Sequence, residues 1–258
     1  MAYQSKADFN QSLVLAIERA AARAWPALDD IDVDGWTWRC SGGGSRRANS
    51  VLPLAFNGGS VASSIAEIEA LYRERGLRSC VQVSSIAQPT DLDAQLANRG
   101  YVLEEPVLLL AKYLPPALAQ DMPPTVEIAA DPSPDWLAIY TATVDGVERR
   151  AAAPATLARV PGERGFLTAW RAGLALASAL GVLSPDGIAI VECVATDVPS
   201  RRTGAAAEVM TGLETWAALN GATVAALQVV ESNVAARALY TARGYTLASR
   251  YHYRWREV

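Results

Sequence analysis

The run Val194-Ala-Thr-Asp-Val-Pro-Ser-Arg-Arg-Thr-Gly-Ala-Ala206 carries an apolar strand into a short turn and then into a helix that opens on Arg201-x-x-Gly204-x-Ala206. A helix start leaves several backbone N–H groups without intrahelical partners, and the macrodipole adds roughly half a positive charge there. Gly204, Ala205 and Ala206 are small enough to let a diphosphate approach that backbone, and Arg201 and Arg202 supply fixed charge. The segment therefore predicts a cradle for a nucleotide-like cofactor. The chain has no Gly-x-x-x-x-Gly-Lys-Ser/Thr, and no Gly-x-Gly-x-x-Gly follows a strand, so ATP and NAD lose ground.

Downstream, the strand-like run Val224-Ala-Ala-Leu-Gln-Val-Val230 leads into Asn233-Val-Ala-Ala-Arg-Ala-Leu-Tyr240-Thr-Ala-Arg-Gly244-Tyr245. The order strand, Arg-x-x-Gly-x-Ala, helix, strand, Asn-x-x-Ala-x-x-Leu-Tyr-x-x-x-Gly-Tyr resembles the GNAT superfamily of acyl-CoA N-acyltransferases. The close resemblance covers Gly187 to Tyr253, and the stretch from Thr125 fits the family's first strands and helices more loosely. It implies an α+β fold, a mixed, mostly antiparallel sheet flanked by helices, with acetyl-CoA as co-substrate. Backbone groups of Val194, Ala195 and Thr196 would pair with the pantetheine arm where this strand splays from its neighbour. The amides of Arg202, Thr203, Gly204, Ala205 and Ala206 would hold the pyrophosphate, beside Arg201. By the same resemblance Asn233 contacts the pantetheine or phosphate end, and Tyr240 is the acid that protonates the leaving thiolate. Asn233 and Tyr240 stand two helical turns apart, on one face.

Length and composition agree with this reading. The 258 residues have room for two modest domains, and 51% hydrophobic residues can fill their cores. A net charge of −4 argues against nucleic acid as the main partner. No apolar run reaches the ~20 residues that cross a bilayer, and the N-terminus lacks the layout of an export signal, so a cytoplasmic protein without a membrane partner is expected. Cys40, Cys80 and Cys193 lack Cys-x-x-Cys spacing and read as free thiols, and the single His252 reads as structural, so no metal is expected.

Along the chain, residues 9–24 have helical spacing ended by Pro26. Residues 35–40 and 47–54 read as two strands joined by the turn 41–45. A helix over 61–75, a strand at 80–84, a helix from Leu92 and a strand over 107–113 follow. That order recurs about 145 residues later, with Asn98-Arg-Gly-Tyr-Val-Leu103 matching Ala242-Arg-Gly-Tyr-Thr-Leu247, which implies duplicated architecture. In the first copy Leu96 stands where Tyr240 would be and Pro89 where Asn233 would be, so it reads as a degenerate GNAT-like half. Proline-rich stretches place the join near Asp121, giving a degenerate domain over 1–120 and a catalytic one over 121–258. Within the second, Pro154 and Pro161 mark a less regular connection, and three antiparallel strands then lead into the anion-binding helix. Arg47 and Asn49 are assigned to the surface between the halves, outside the site.

Amine acylation needs a base for the ammonium proton and a donor for the oxyanion. Glu192 is the one acidic residue of the strand 188–195, and alternation places it on one face with Ile190 and Val194. A carboxylate among apolar neighbours has a raised pKa, which makes it the candidate base, directly or through water. Three readings stay open: an N-acetyltransferase acting on a primary amine of a small molecule or peptide, a non-catalytic acyl-CoA-binding regulatory module, and a transferase for a larger acyl-CoA. Either a monomer or a homodimer is compatible with the sequence.

Overall fold

Strand order explains how two half-chains become one scaffold. The computed structural model describes residues 9–42, 44–116, 118, 122–144 and 146–258; the expected join at Asp121 lies outside them. The first half contributes α1 (Gln11–Ala24), the hairpin β1 (Asp29–Val33) and β2 (Trp36–Cys40), α2 (Val61–Glu74), β3 (Ser79–Ser84), α3 (Leu92–Asn98) and β4 (Val102–Tyr113). The second contributes β5 (Val126–Ala129), α4 (Pro134–Ala142), α5 (Val147–Ala158), β6 (Arg164–Arg171), β7 (Leu174–Ser184), β8 (Ile188–Thr196), α6 (Ala205–Leu219), β9 (Val224–Val230), α7 (Val234–Ala242) and β10 (Thr246–Arg256). Eight strands form one sheet in the order β3-β10-β4-β9-β8-β7-β6-β5, antiparallel except for β8 and β9. Among the described residues no helix is long and apolar enough to cross a membrane.

Each half lends its last strand to the other. β10 lies between β3 and β4, and β4 lies between β10 and β9. The registers repeat under this exchange. Tyr253 faces Gln82 across β10 and β3 as Leu109 faces Gln228 across β4 and β9, and Tyr251 faces Val107 at the centre. A turn of backbone repeats too: Tyr101 N–H donates to Leu96 O and Tyr245 N–H to Tyr240 O, both at 3.0 Å.

Buried charge follows the same symmetry. Glu214 of α6 is 2% exposed and accepts from Lys112 Nζ at 2.7 Å and from Arg243 Nε and Nη2 at 3.0 Å. In the other half Glu69 of α2 accepts from Arg99 Nε at 2.9 Å and Nη2 at 2.8 Å, and from Arg256 Nη1 at 3.4 Å. In each network an arginine of the same half bonds both carboxylate oxygens, and one further cation comes from the exchanged strand, so each carboxylate is held from both halves. Tyr101 Oη bonds Ser79 Oγ at 2.7 Å; beside Glu214 the matching Tyr245 hydroxyl has no such partner, because the register puts Ala225 where Ser79 stands.

Helices cover both faces. Val209, Met210, Leu213 and Ala217 of α6 pack on one face with Tyr240, while Ile17 and Ala21 of α1 and Trp136 of α4 pack on the other with Ile190 and Leu180. Trp216 lies so close over Gly181 that a Cβ there would stand 2.4 Å from its ring. Two sequence expectations are corrected. The partner of β2 is the acidic, exposed strand Asp29–Val33, whereas residues 47–54 form a 3-10 turn (Arg47–Asn49) and two isolated bridges, Thr37 with Leu52 and Val51 with Val81. The connection read as irregular is α5, which carries Pro154 inside it. His252 is structural in character, bonded to Asp93 Oδ1 at 2.7 Å beside Arg254.

Removing Glu214 strands two poorly exposed cations, so Glu214→Ala should lose about 3–5 kcal/mol in urea unfolding. Arg250→Ala, at an exposed pair with Glu231, should lose under about 1 kcal/mol. Equal losses would contradict the weight given to the buried network.

Candidate active site

The parallel ladder between β8 and β9 runs from Ile188–Val224 to Val191–Leu227 and stops. β8 stays paired with β7 as far as Thr196, and β9 stays paired with β4 as far as Val230, so the two strands diverge into an opening. Asp197 N–H donates to Leu176 O at 2.9 Å, and alternation therefore turns the N–H of Thr196 into the opening. Cys193 sits at φ +54° in a bulge between the pairs Leu180–Glu192 and Ser178–Ala195. This corrects the expected alternation: Ile190 and Cys193 face the α1 and α4 side, whereas Val194 packs on the α6 side.

Beyond the opening the chain reaches α6 through the turn at residues 201–204. Arg202 has φ +66° and Gly204 φ +89°. These left-handed residues point successive amides outward, and among the described residues the N–H groups of Arg202 to Ala207 make no hydrogen bond. Thr203 Oγ1 donates to Ser200 O at 2.7 Å and braces the turn. Arg201 and Arg202 are exposed and form no ion pair among the described residues. Row of free amides, left-handed glycine and unspent guanidinium groups together fit a diphosphate. The matching turn of the first half does not: Ser60 caps α2 by accepting from Ser63 N–H, and Ser64 Oγ donates to Asp34, whose carboxylate lies where a Cβ on Gly58 would fall.

Tyr240 and Glu192 approach the opening from opposite faces of the sheet. Tyr240 is 7% exposed, its ring 5.9 Å from that of Tyr245, and burial, with Glu192's charge adding, pushes its pKa up to about 12. Asn233 caps α7, its Oδ1 accepting from Ala236 N–H at 3.1 Å, which leaves its amide nitrogen free to turn outward from an exposed helix start.

Glu192 is not the isolated carboxylate among apolar neighbours that the sequence suggested. Arg47 of the first half grips it with both terminal nitrogens, Nη2 to Oε2 at 2.6 Å and Nη1 to Oε1. Arg47 Nη1 also donates to Gln228 Oε1 at 3.2 Å, and Tyr251 Oη donates to the same oxygen at 3.1 Å. One guanidinium thus ties β8 to β9 at the two residues just past the last ladder pair, while lying over the Trp25 ring. Burial lowers the pKa of Arg47, but attraction to Glu192 outweighs it and the net shift is upward. Sequence reading left Arg47 at the surface between halves because nothing local marks a residue whose partners are about 145 and 181 positions away. Among the described residues, no three His, Cys, Asp or Glu side chains gather as a metal centre needs.

Comparison with known proteins agrees with this geometry. Residues 12–255 match the family described as "Probable histone acetyltransferase Rv0428c C-terminal". The chain is 29% identical over 245 residues to "Uncharacterized N-acetyltransferase YobR" of Bacillus subtilis, covering 92% of this chain and 96% of the relative. In fold it is similar to a GCN5-related N-acetyltransferase from Kribbella flavida, with a TM-score of 0.68 at 18% identity over 95% and 96% of the two chains. It is also similar to a tandem GNAT protein from the clavulanic acid biosynthesis pathway, with a TM-score of 0.59 at 12% identity over 81% and 75%.

Gly204→Val sets a β-branched residue at φ +89° in open space, so it strains the turn without a clash elsewhere. Calorimetric titration with CoA should show a dissociation constant raised at least about tenfold, ~1.4 kcal/mol, with the circular dichroism spectrum unchanged. Wild-type affinity in this variant would detach the turn from the cofactor.

Proposed function

Because the chain belongs to the Rv0428c C-terminal family within the GNAT superfamily of acetyltransferases, we propose that it transfers the acetyl group of acetyl-CoA to the primary amine of a small-molecule or peptide acceptor. Residues 121–258 form the catalytic unit in this reading, and residues 1–120 shape its acceptor side. The observation that carries it is the opening between β8 and β9 running into the free amides of the Gly204 turn. Residues 194–196 offer an unpaired strand edge to the pantetheine arm, the amides of residues 202–206 take the diphosphate with Arg201 and Arg202, and Asn233 meets the same arm or the phosphates from α7.

The chemistry divides between the two faces. Thr196 N–H lies where it can donate to the thioester oxygen as charge builds there. Glu192, held in place by Arg47, draws the amine proton away through a water; Arg47 takes two of the carboxylate's roughly four lone-pair positions and leaves the others open. Arg47 is a positioning residue, since it acts through Glu192 and Gln228. Tyr240 delivers a proton to the departing thiolate. Its high pKa keeps the phenol protonated at neutral pH, and the same dry surroundings raise the basicity of a thiolate formed beside it.

In a thiol-release assay Tyr240→Phe should lower kcat about 100-fold or more while the dissociation constant for CoA holds. The wild-type rate should show no decline caused by Tyr240 through pH 10, because its proton leaves only near pH 12. Full turnover in the phenylalanine variant would remove the tyrosine from the mechanism. Glu192→Gln keeps the shape but not the proton acceptor, and should lower kcat about 100-fold or more while the dissociation constant for CoA holds; an unchanged kcat would exclude Glu192.

A further inference from the structure

Two cavities of about 180 and 220 Å³ adjoin on the Glu192 side of the opening and share Ser45 and Arg149. The first is walled by Arg47, Gln228 and Tyr251, the groups already tied to Glu192; the second lies between Trp25 and Tyr140 of opposite halves. Among the described residues, neither cavity has an Asp or Glu in its lining.

The charges that do line them are all arginines, and they differ in how they are used. Arg46 is paired with Glu104 at 3.0 Å, and Arg47 with Glu192. Arg149 lies exposed where the two cavities meet and forms no ion pair or hydrogen bond among the described residues. A guanidinium with no ion pair among the described residues, beside cavities with no Asp or Glu among their described lining residues, favours an anionic group and repels a second cation. The cavities are also small, of the size that a compact molecule fills.

We propose that the acceptor is a small amine that also carries a carboxylate, of the amino-acid class, and that Arg149 holds the carboxylate while the amine points to Glu192. This rests on the acetyl-transfer reading above and narrows it, because a lysine-rich peptide would bring further positive charge against Arg149. Ser45 and Tyr140 line the same space.

The test uses the full chain with acetyl-CoA in a thiol-release assay, against the common amino acids, their methyl esters and 1,4-diaminobutane. At least one free acid should exceed its own ester and the diamine in kcat/KM by about tenfold or more. Arg149→Ala should raise KM for that acid about tenfold with kcat within about twofold, and Arg149→Lys should recover part of the loss. Calorimetry with CoA alone should not distinguish these variants from wild type. Esters or the diamine serving as well as the acids, indifference of KM to Arg149→Ala, or no acid turned over by a protein that binds CoA would each overturn the proposal. Failure to bind CoA would overturn the acetyl-transfer reading beneath it.

Discussion

The central antiparallel ladder between β4 and β10 is the constraint on which the rest of this structure depends. Each strand belongs to one half of the chain and completes the sheet of the other, with Tyr251 opposite Val107 at the pivot. Neither half can close its sheet alone. Lys112 and Arg256, carried on these two strands, reach across to the buried carboxylates of α6 and α2 and add to the pairs these make with Arg243 and Arg99 of their own halves. Exchange also positions the cleft. Arg47 reaches Glu192 and Gln228 only because the two halves are locked at this distance, and through those contacts it spans the point where β8 and β9 part.

Duplication with divergence is visible residue by residue. The helix glutamates, the Arg-Gly-Tyr turns and the strand registers persist in both halves, and all of them serve packing and charge balance. What differs lies around the openings. Ser60 closes the start of α2 with its own side chain where Gly204 leaves α6 open, Asp34 places a negative charge near that start, and Leu96 fills the place of Tyr240. An anion has nothing to gain from the first turn, whereas the second presents a run of unspent N–H groups.

What the sequence disclosed was local. The small-residue turn at 201–206, the apolar strands of the second half and the Arg-Gly-Tyr repeats depend on neighbours within a few positions, and each takes the local structure expected of it. The hairpin strand Asp29–Val33 escaped because its residues are mostly exposed and acidic, so no apolar alternation marked it. Pro154 suggested a break, yet α5 runs through it. The bulge at Cys193 moved Val194 to the other face of the sheet, an event that strict alternation cannot anticipate. Arg47 was the most consequential miss: its role comes from contacts across the halves, and pairing with it turns Glu192 from an apolar-pocket carboxylate into one held by a guanidinium.

The function rests on where one ligand sits. A crystal structure with CoA bound is the most direct measurement: density for the diphosphate should lie against the amides of residues 202–206, with the pantetheine arm between residues 194–196 and the end of β9. A diphosphate found at the start of α2, or an arm that avoids the opening between β8 and β9, would contradict the account.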